Sequence, residues 1–237
     1  MASNTKPNFS AAYSKANEIL VKSRVISTFP FSPIDLVKEQ SAIKCRTYKK
    51  ARKYGIDITA FGSESATIFE YGGRQIIFYD DSKLMTHVKY SILHELGHPL
   101  NNHDFSVTDK EIYGRYEVET NYFAAQLLMP EQVLCELTNR GIRITKEFLM
   151  HHFEVSEKAA KKRIETLAKK RLSGVLDKRK NLTMLSSLSS PLLSTVFVPH
   201  ARITMILRTN TTVSVKGTLG TNHTTELHIG GDAYGCK

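Results

Sequence analysis

The segment YSILHELGH at residues 90–98 constrains this chain more than any other feature. Met85, Val88, Ile92, Leu93 and Leu96 recur at spacings of three and four, the period of a helix with one buried face. His94 and His98 lie four residues apart, so on that helix both imidazoles project from one side, with Glu95 beside them. Such an H-E-x-x-H helix can present two nitrogens to one Zn²⁺ and a carboxylate to a neighbouring water. The plainer alternative is a pair of solvated histidines beside a glutamate on an amphipathic surface. The apolar period on both sides makes the helix credible and favours the metal.

A catalytic zinc takes a third protein ligand and keeps a fourth position open, so a second element must cross the first. The helix expected over residues 115–129 is the best source, with Phe123, Ala124, Leu127 and Leu128 as its core stripe. Glu117 and Asn121 share a face at i and i+4, so Glu117 could bind the ion while the Asn121 amide fixes the tautomer of a ligand imidazole. Glu119 stands about 200° round the helix from Glu117. Only one of the two can face the metal, and Glu119 reads as an exposed acid.

YSILHELGH, a polar insert and EVETNYFAAQLLMP together resemble the ImmA/IrrE family of zinc metallopeptidases, over roughly residues 32–172. The resemblance implies His94, His98 and Glu117 as zinc ligands and Glu95 as general base. It also implies peptide hydrolysis without a serine or cysteine nucleophile, and a protein substrate that is a helix-turn-helix repressor of a mobile element or stress operon. Three departures stand out: Thr120 where alanine is common, Pro99 directly after the second histidine, and a tail after Lys180 unlike the family. Pro99 lacks an N–H and would clash with the Glu95 carbonyl, so the helix is expected to kink or stop there. Tyr113, Tyr116 and His103 are within sequence reach as oxyanion stabilisers, but read more simply as packing aromatics and a surface histidine.

The expected fold is α+β. A zincin-like metallopeptidase domain covers residues 1–135, with a small sheet and β-hairpin packed on the HExxH and glutamate-ligand helices. A helical, helix-turn-helix-like segment covers 136–180, and a Ser/Thr-rich tail, β or disordered, covers 181–237. Helices are expected over 8–23 and after the Ser32-Pro33 cap, a period-two strand over 56–61, and strands at 66–71 and 74–79 joined by Gly72-Gly73. The second strand of that hairpin could align an extended substrate by strand addition. Two further helices should meet near Glu154-Val155, and strands are possible at 196–207 and 211–219.

The net charge is +10, concentrated in two places. Residues 157–180 hold ten Lys/Arg against three Asp/Glu, and residues 41–55 hold six basic residues and no acid. A basic second helix after a short turn supports an alternative function: a non-catalytic DNA-binding or protein-binding regulator. Lysine dominates that helix and base-reading side chains are scarce, so any nucleic-acid binding should be weak and non-specific. Three cysteines, far apart, support neither a disulfide framework nor a cysteine zinc cluster. The start of the chain has no apolar stretch after its charges, and the uncharged stretch 182–199 is rich in Ser, Thr and Pro. The expectation is therefore a cytoplasmic protein with no membrane partner.

Overall fold

A computed structural model describes residues 6–61, 65–71, 73–172, 194–196 and 203–206. Helix α1 (Phe9–Lys22) begins where the Asn8 side chain accepts from the Ala11 N–H, and it buries Ala12, Ala16, Ile19 and Leu20. Strand β1 (Thr28–Phe29) follows, then α2 (Pro33–Glu39), whose Ser32 cap accepts from Asp35 N as the Ser-Pro pair implies.

The charged stretch after α2 holds two elements that its basicity obscured. In β2 (Ile43–Thr47) Ile43 and Cys45 point inwards while Lys44 and Arg46 point out, a period-two pattern, and Thr47 then caps α3 (Tyr48–Lys53). The strand expected over 56–61 is instead a loop entering a 3₁₀ helix (Ile58–Phe61). Asp57 Oδ1 accepts from both the N–H and the hydroxyl of Thr59, a local turn that competes with extended backbone. Ile56 and Ile58 pack on Tyr48, Ala51 and Phe78, so the alternating apolar residues serve a small core rather than a ladder.

The expected hairpin is present. β3 (Ala66–Tyr71) runs antiparallel to β4 (Arg74–Tyr79) with Tyr71 opposite Arg74, and Gly73 takes φ +70°, which a glycine adopts freely. β4 also pairs in parallel with β2, giving the order β2-β4-β3. The strand proposed for substrate alignment is thus central and paired on both sides; among the described residues, β3 is the hairpin strand with only one strand partner.

Helix α4 (Met85–Leu100) carries the H-E-x-x-H residues. The helix ends at Leu100, one residue past Pro99, close to the expected stop. The proline sits in the last turn, where only one ladder bond is lost. Helix α5 (Lys110–Leu128) begins five residues earlier than its apolar period suggested, because Asp109 accepts from the N–H groups of Glu111 and Ile112. Pro130 separates it from α6 (Glu131–Asn139). Helices α7 (Lys146–Phe153) and α8 (Glu157–Leu172) follow, Ser156 capping α8 by accepting from Ala159 N.

One apolar core runs from Ala12 on α1 through Ile92, Leu96, Phe123 and Leu127 to Leu149, Phe153 and Ala160 on α7 and α8. Arg163 of α8 is 2% exposed, donating from Nε to Met129 O and from Nη2 to Gln126 Oε1. A side of the basic helix is therefore committed to the body of the protein. In the tail β5 (Ser194–Val196) and β6 (Ile203–Ile206) are antiparallel to each other, with β6 also paired to β1; of the strand expected over 196–207, residues 197–202 and 207 lie outside the described residues. The possible strand at 211–219 lies outside the described residues. Among those residues no helix is long and apolar enough to cross a membrane.

Candidate metal centre

The crossing of α4 and α5 builds the site. Gly97 faces α5 so closely that a Cβ there would lie 3.0 Å from Phe123 Cδ1 and 3.1 Å from Thr120 Cγ2. The glycine between Glu95 and His98 thus lets the backbones approach, and the approach carries Glu117 of α5 to the histidines of α4. His94 Nε2 is 3.1 Å from Glu117 Oε2, and His98 Nε2 is 3.4 Å from Glu117 Oε1. One donor atom from each of the three lies within 4.8 Å of the others.

The 3.4 Å spacing matches two donors on one ion, while the 3.1 Å contact is still within hydrogen-bond reach. A charge-assisted N–H···O contact settles at about 2.7–2.9 Å. Two donors about 2.1 Å from one tetrahedral zinc are about 3.4 Å apart instead. Two imidazoles and one carboxylate are also the donor types that zinc takes in hydrolytic sites. Among the described residues this is the one such cluster of histidine, cysteine and carboxylate groups.

Glu95 stands beside the cluster rather than in it: its Oε2 accepts from the Ile68 N–H of β3 at 2.8 Å. Burial pushes its carboxyl pKa up, against the pull of His94, His98 and the Ile68 N–H. Burial opposes charge on His94 too, but the hydrogen bond and charge of Glu117 outweigh it and raise the imidazole pKa. Burial likewise opposes the ionised form of Glu117, yet the two histidines hold that carboxyl below the ordinary range.

Asn121 lies where the i, i+4 spacing suggested. Its Nδ2 donates to Glu117 O at 2.6 Å, its Oδ1 accepts from Tyr90 at 3.0 Å, and a hydrogen bond that the side chain accepts from His94 also favours the charged imidazole. Thr120 Oγ1 is 3.2 Å from Nδ1 and 3.3 Å from Nε2 of His94, hence over the ring face rather than in its plane. The departure from alanine at this position therefore leaves the imidazole nitrogens free for other partners.

Two expectations fail here. Glu119 does face away from the three donors, but it is 7% exposed rather than an exposed acid, and its Oε2 meets His103 Nε2 at 2.9 Å. His103, read as a surface histidine, is 6% exposed, with its Nδ1 3.2 Å from His98 Nδ1 and its ring stacked on Tyr116 at 4.0 Å. A signal for Glu119 was available: it lies four residues before Phe123, beside the buried stripe. Nothing comparable marks His103, because its burial depends on the turn after α4 folding back, with His103 N donating to His98 O. Tyr113, the remaining aromatic considered, is exposed.

No curated protein matches the chain. The family model Peptidase_M78, the IrrE N-terminal-like domain, matches residues 51–165, a span that holds β3, β4, the two helices that carry His94, His98 and Glu117, and most of α8. With the close crossing of α4 and α5 and the donor set it creates, this match places residues 51–165 in the ImmA/IrrE-type metallopeptidase family.

Proposed function

We propose that the chain is a zinc-dependent endopeptidase that hydrolyses peptide bonds of a regulatory protein, a helix-turn-helix repressor of a mobile element or stress operon. The observation carrying this reading is the Glu95 carboxylate, held next to the His94, His98 and Glu117 donors without being one of them. A purely structural ion needs no base at that position.

A zinc bound by His94, His98 and Glu117 would supply Lewis acidity for the scissile carbonyl and for the attacking water. The residues of the chain supply the rest. Glu95 Oε2 is tied to the edge strand, which leaves Oε1 to take the proton of the water and later deliver it to the departing amine. Its raised pKa suits both halves of that task, since a carboxyl that holds a proton more readily is a better acceptor. Glu117 and Asn121 keep His94 oriented across the helix crossing.

Substrate alignment falls to β3. Ile68 stands opposite Ile77 of β4, yet its N–H points to Glu95, so this is a non-hydrogen-bonded pair whose main chain faces away from β4. The same alternation turns the main chain of Glu70 outwards, and an extended peptide adding to this edge would run past Glu95.

The test is Glu95→Gln. The amide is nearly isosteric and is not a donor to the ion, so zinc binding and fold should persist while cleavage of candidate repressors, followed by intact mass, falls by about 10²–10⁴-fold. If the variant relieves repression in a reporter strain as well as the unaltered chain does, hydrolysis is not how this protein acts.

A further inference from the structure

His98, His103 and Glu119 form a buried line of three titratable side chains, and none of them is more than 8% exposed. His98 Nδ1 faces His103 Nδ1 at 3.2 Å, and His103 Nε2 faces Glu119 Oε2 at 2.9 Å. The other Glu119 oxygen accepts from the Asn8 N–H at 2.6 Å, at the first turn of α1 and 111 residues away in sequence. Tyr116 stacks on His103 with ring planes 7° apart, and His103 N donates to His98 O, so the middle ring has little freedom.

Hydrogen positions follow from counting donors. An ionised Glu119 has only acceptors, so the short contact requires a proton on His103 Nε2. A neutral His103 with its proton there presents a lone pair at Nδ1. His98 Nδ1, facing that lone pair, must carry a proton of its own. The remaining nitrogen of His98 is then a bare lone pair, and it is Nε2, the atom 3.4 Å from Glu117 Oε1 within the donor set. The opposite arrangement would set a lone pair of His103 against a carboxylate oxygen at 2.9 Å, a closer repulsion than that between the His98 Nε2 lone pair and Glu117 Oε1 at 3.4 Å, which an ion between those two donors would relieve.

We propose that His103 and Glu119 are positioning residues that lock His98 in its metal-binding tautomer, and that the main-chain N–H of Asn8 completes the relay by fixing the Glu119 carboxylate. The inference rests on the donor-set reading above and adds a coupling to it. The start of α1, remote from the ligands in sequence, contributes to metal affinity. The order carboxylate, imidazole, imidazole, metal lengthens by one ring the carboxylate–histidine pairing that commonly orients metal ligands.

Two measurements on the full chain test it. In metal-free protein at about pH 8, above the ordinary histidine range, long-range ¹H–¹⁵N NMR should find the His98 proton on Nδ1, and His103→Phe should shift it towards Nε2. A proton on Nε2 in the unaltered chain overturns the proposal whether or not any variant folds. Zinc affinity from competition with a chromophoric chelator should fall about 10–100-fold in His103→Phe, which keeps the stack on Tyr116.

Glu119→Gln, whose single carbonyl oxygen can accept from His103 or from Asn8 but not both, should lie between wild type and Glu119→Ala. Asn8→Pro, which removes the N–H, should bind zinc more weakly than Asn8→Ala, which loses only the side-chain cap. Wild-type zinc binding with His103→Phe affinity within about twofold, below the range for such partners, overturns the relay alone. Zinc that fails to bind the wild-type chain, or binds His98→Ala equally well, overturns the donor set itself and the relay with it.

Discussion

Replacing Gly97 by alanine tests whether the closeness of the helix crossing sets the metal site. The new Cβ would meet Phe123 Cδ1 at 3.0 Å, Thr120 Cγ2 at 3.1 Å and Thr120 Cβ at 3.3 Å. Ordinary carbon contacts lie at about 3.5–4.0 Å, so relief needs the neighbours to give by a few tenths of an ångström. Phe123 and Thr120 are both fully buried, and the Thr120 hydroxyl is tied to the carbonyls of Tyr116 and Glu117. Neither side chain can turn away, so the strain passes to the separation of α4 and α5.

Two stability effects oppose each other: overpacking costs about 1–3 kcal/mol, while alanine favours a helix interior over glycine by about 1 kcal/mol. The net loss should be about 0–2 kcal/mol, which a folded domain survives. The donors have less tolerance, because His98 is the next residue and Glu117 lies one turn before Thr120. Functional constellations hold within about 0.5 Å. Zinc affinity by chelator competition should therefore drop by about tenfold or more, about 1.4 kcal/mol, while urea unfolding shows the smaller change. Thr120→Ala removes Cγ2 and should restore part of the affinity in the double variant, with little effect alone. A Gly97→Ala chain that binds zinc as tightly as wild type would refute the argument.

Glu117→Ala should cost more zinc affinity than Glu119→Ala, since the first removes a donor and the second only orients one; equal losses by metal analysis would show the faces misassigned. Zinc binding should weaken as pH falls, because protons compete for both imidazoles. The raised pKa of His94 means it holds its proton more tightly, so the loss should begin above the ordinary value of about 6.5, read from zinc titrations across pH. Arg163→Ala should destabilise the fold by about 2–5 kcal/mol in urea unfolding, by leaving Met129 O unpaired and Gln126 Oε1 with the Glu131 N–H alone, around a cavity. Any binding to random and operator duplexes should fall steeply with salt and show less than about a thousandfold sequence preference.

The chemistry of the site was local, and the sequence determined it. An i, i+4 pair of histidines with an adjacent glutamate is fixed by helical period alone; the same period keeps Glu117 and Glu119 off one face, and the Asn121 partner at i+4 is what favoured Glu117. Caps were legible for the same reason at Ser32 and Ser156, where a side chain satisfies an N–H three residues on. The 3₁₀ turn at Ile58 defeated the alternating pattern, because periodicity records which residues are apolar and not which core receives them.

Tertiary structure alone decided what surrounds those residues. That β4 is central and β3 the edge depends on β2 pairing in parallel from outside the hairpin, a contact no local pattern encodes. The burial of His103 and Glu119, and the reach of Asn8 to them, arises from three segments meeting at the α1–α5 packing. Gly97 shows where the two levels join. Its place in the motif is written in the chain, but its purpose, a backbone approach that leaves a methyl group only tight contacts, exists only once α5 lies against it.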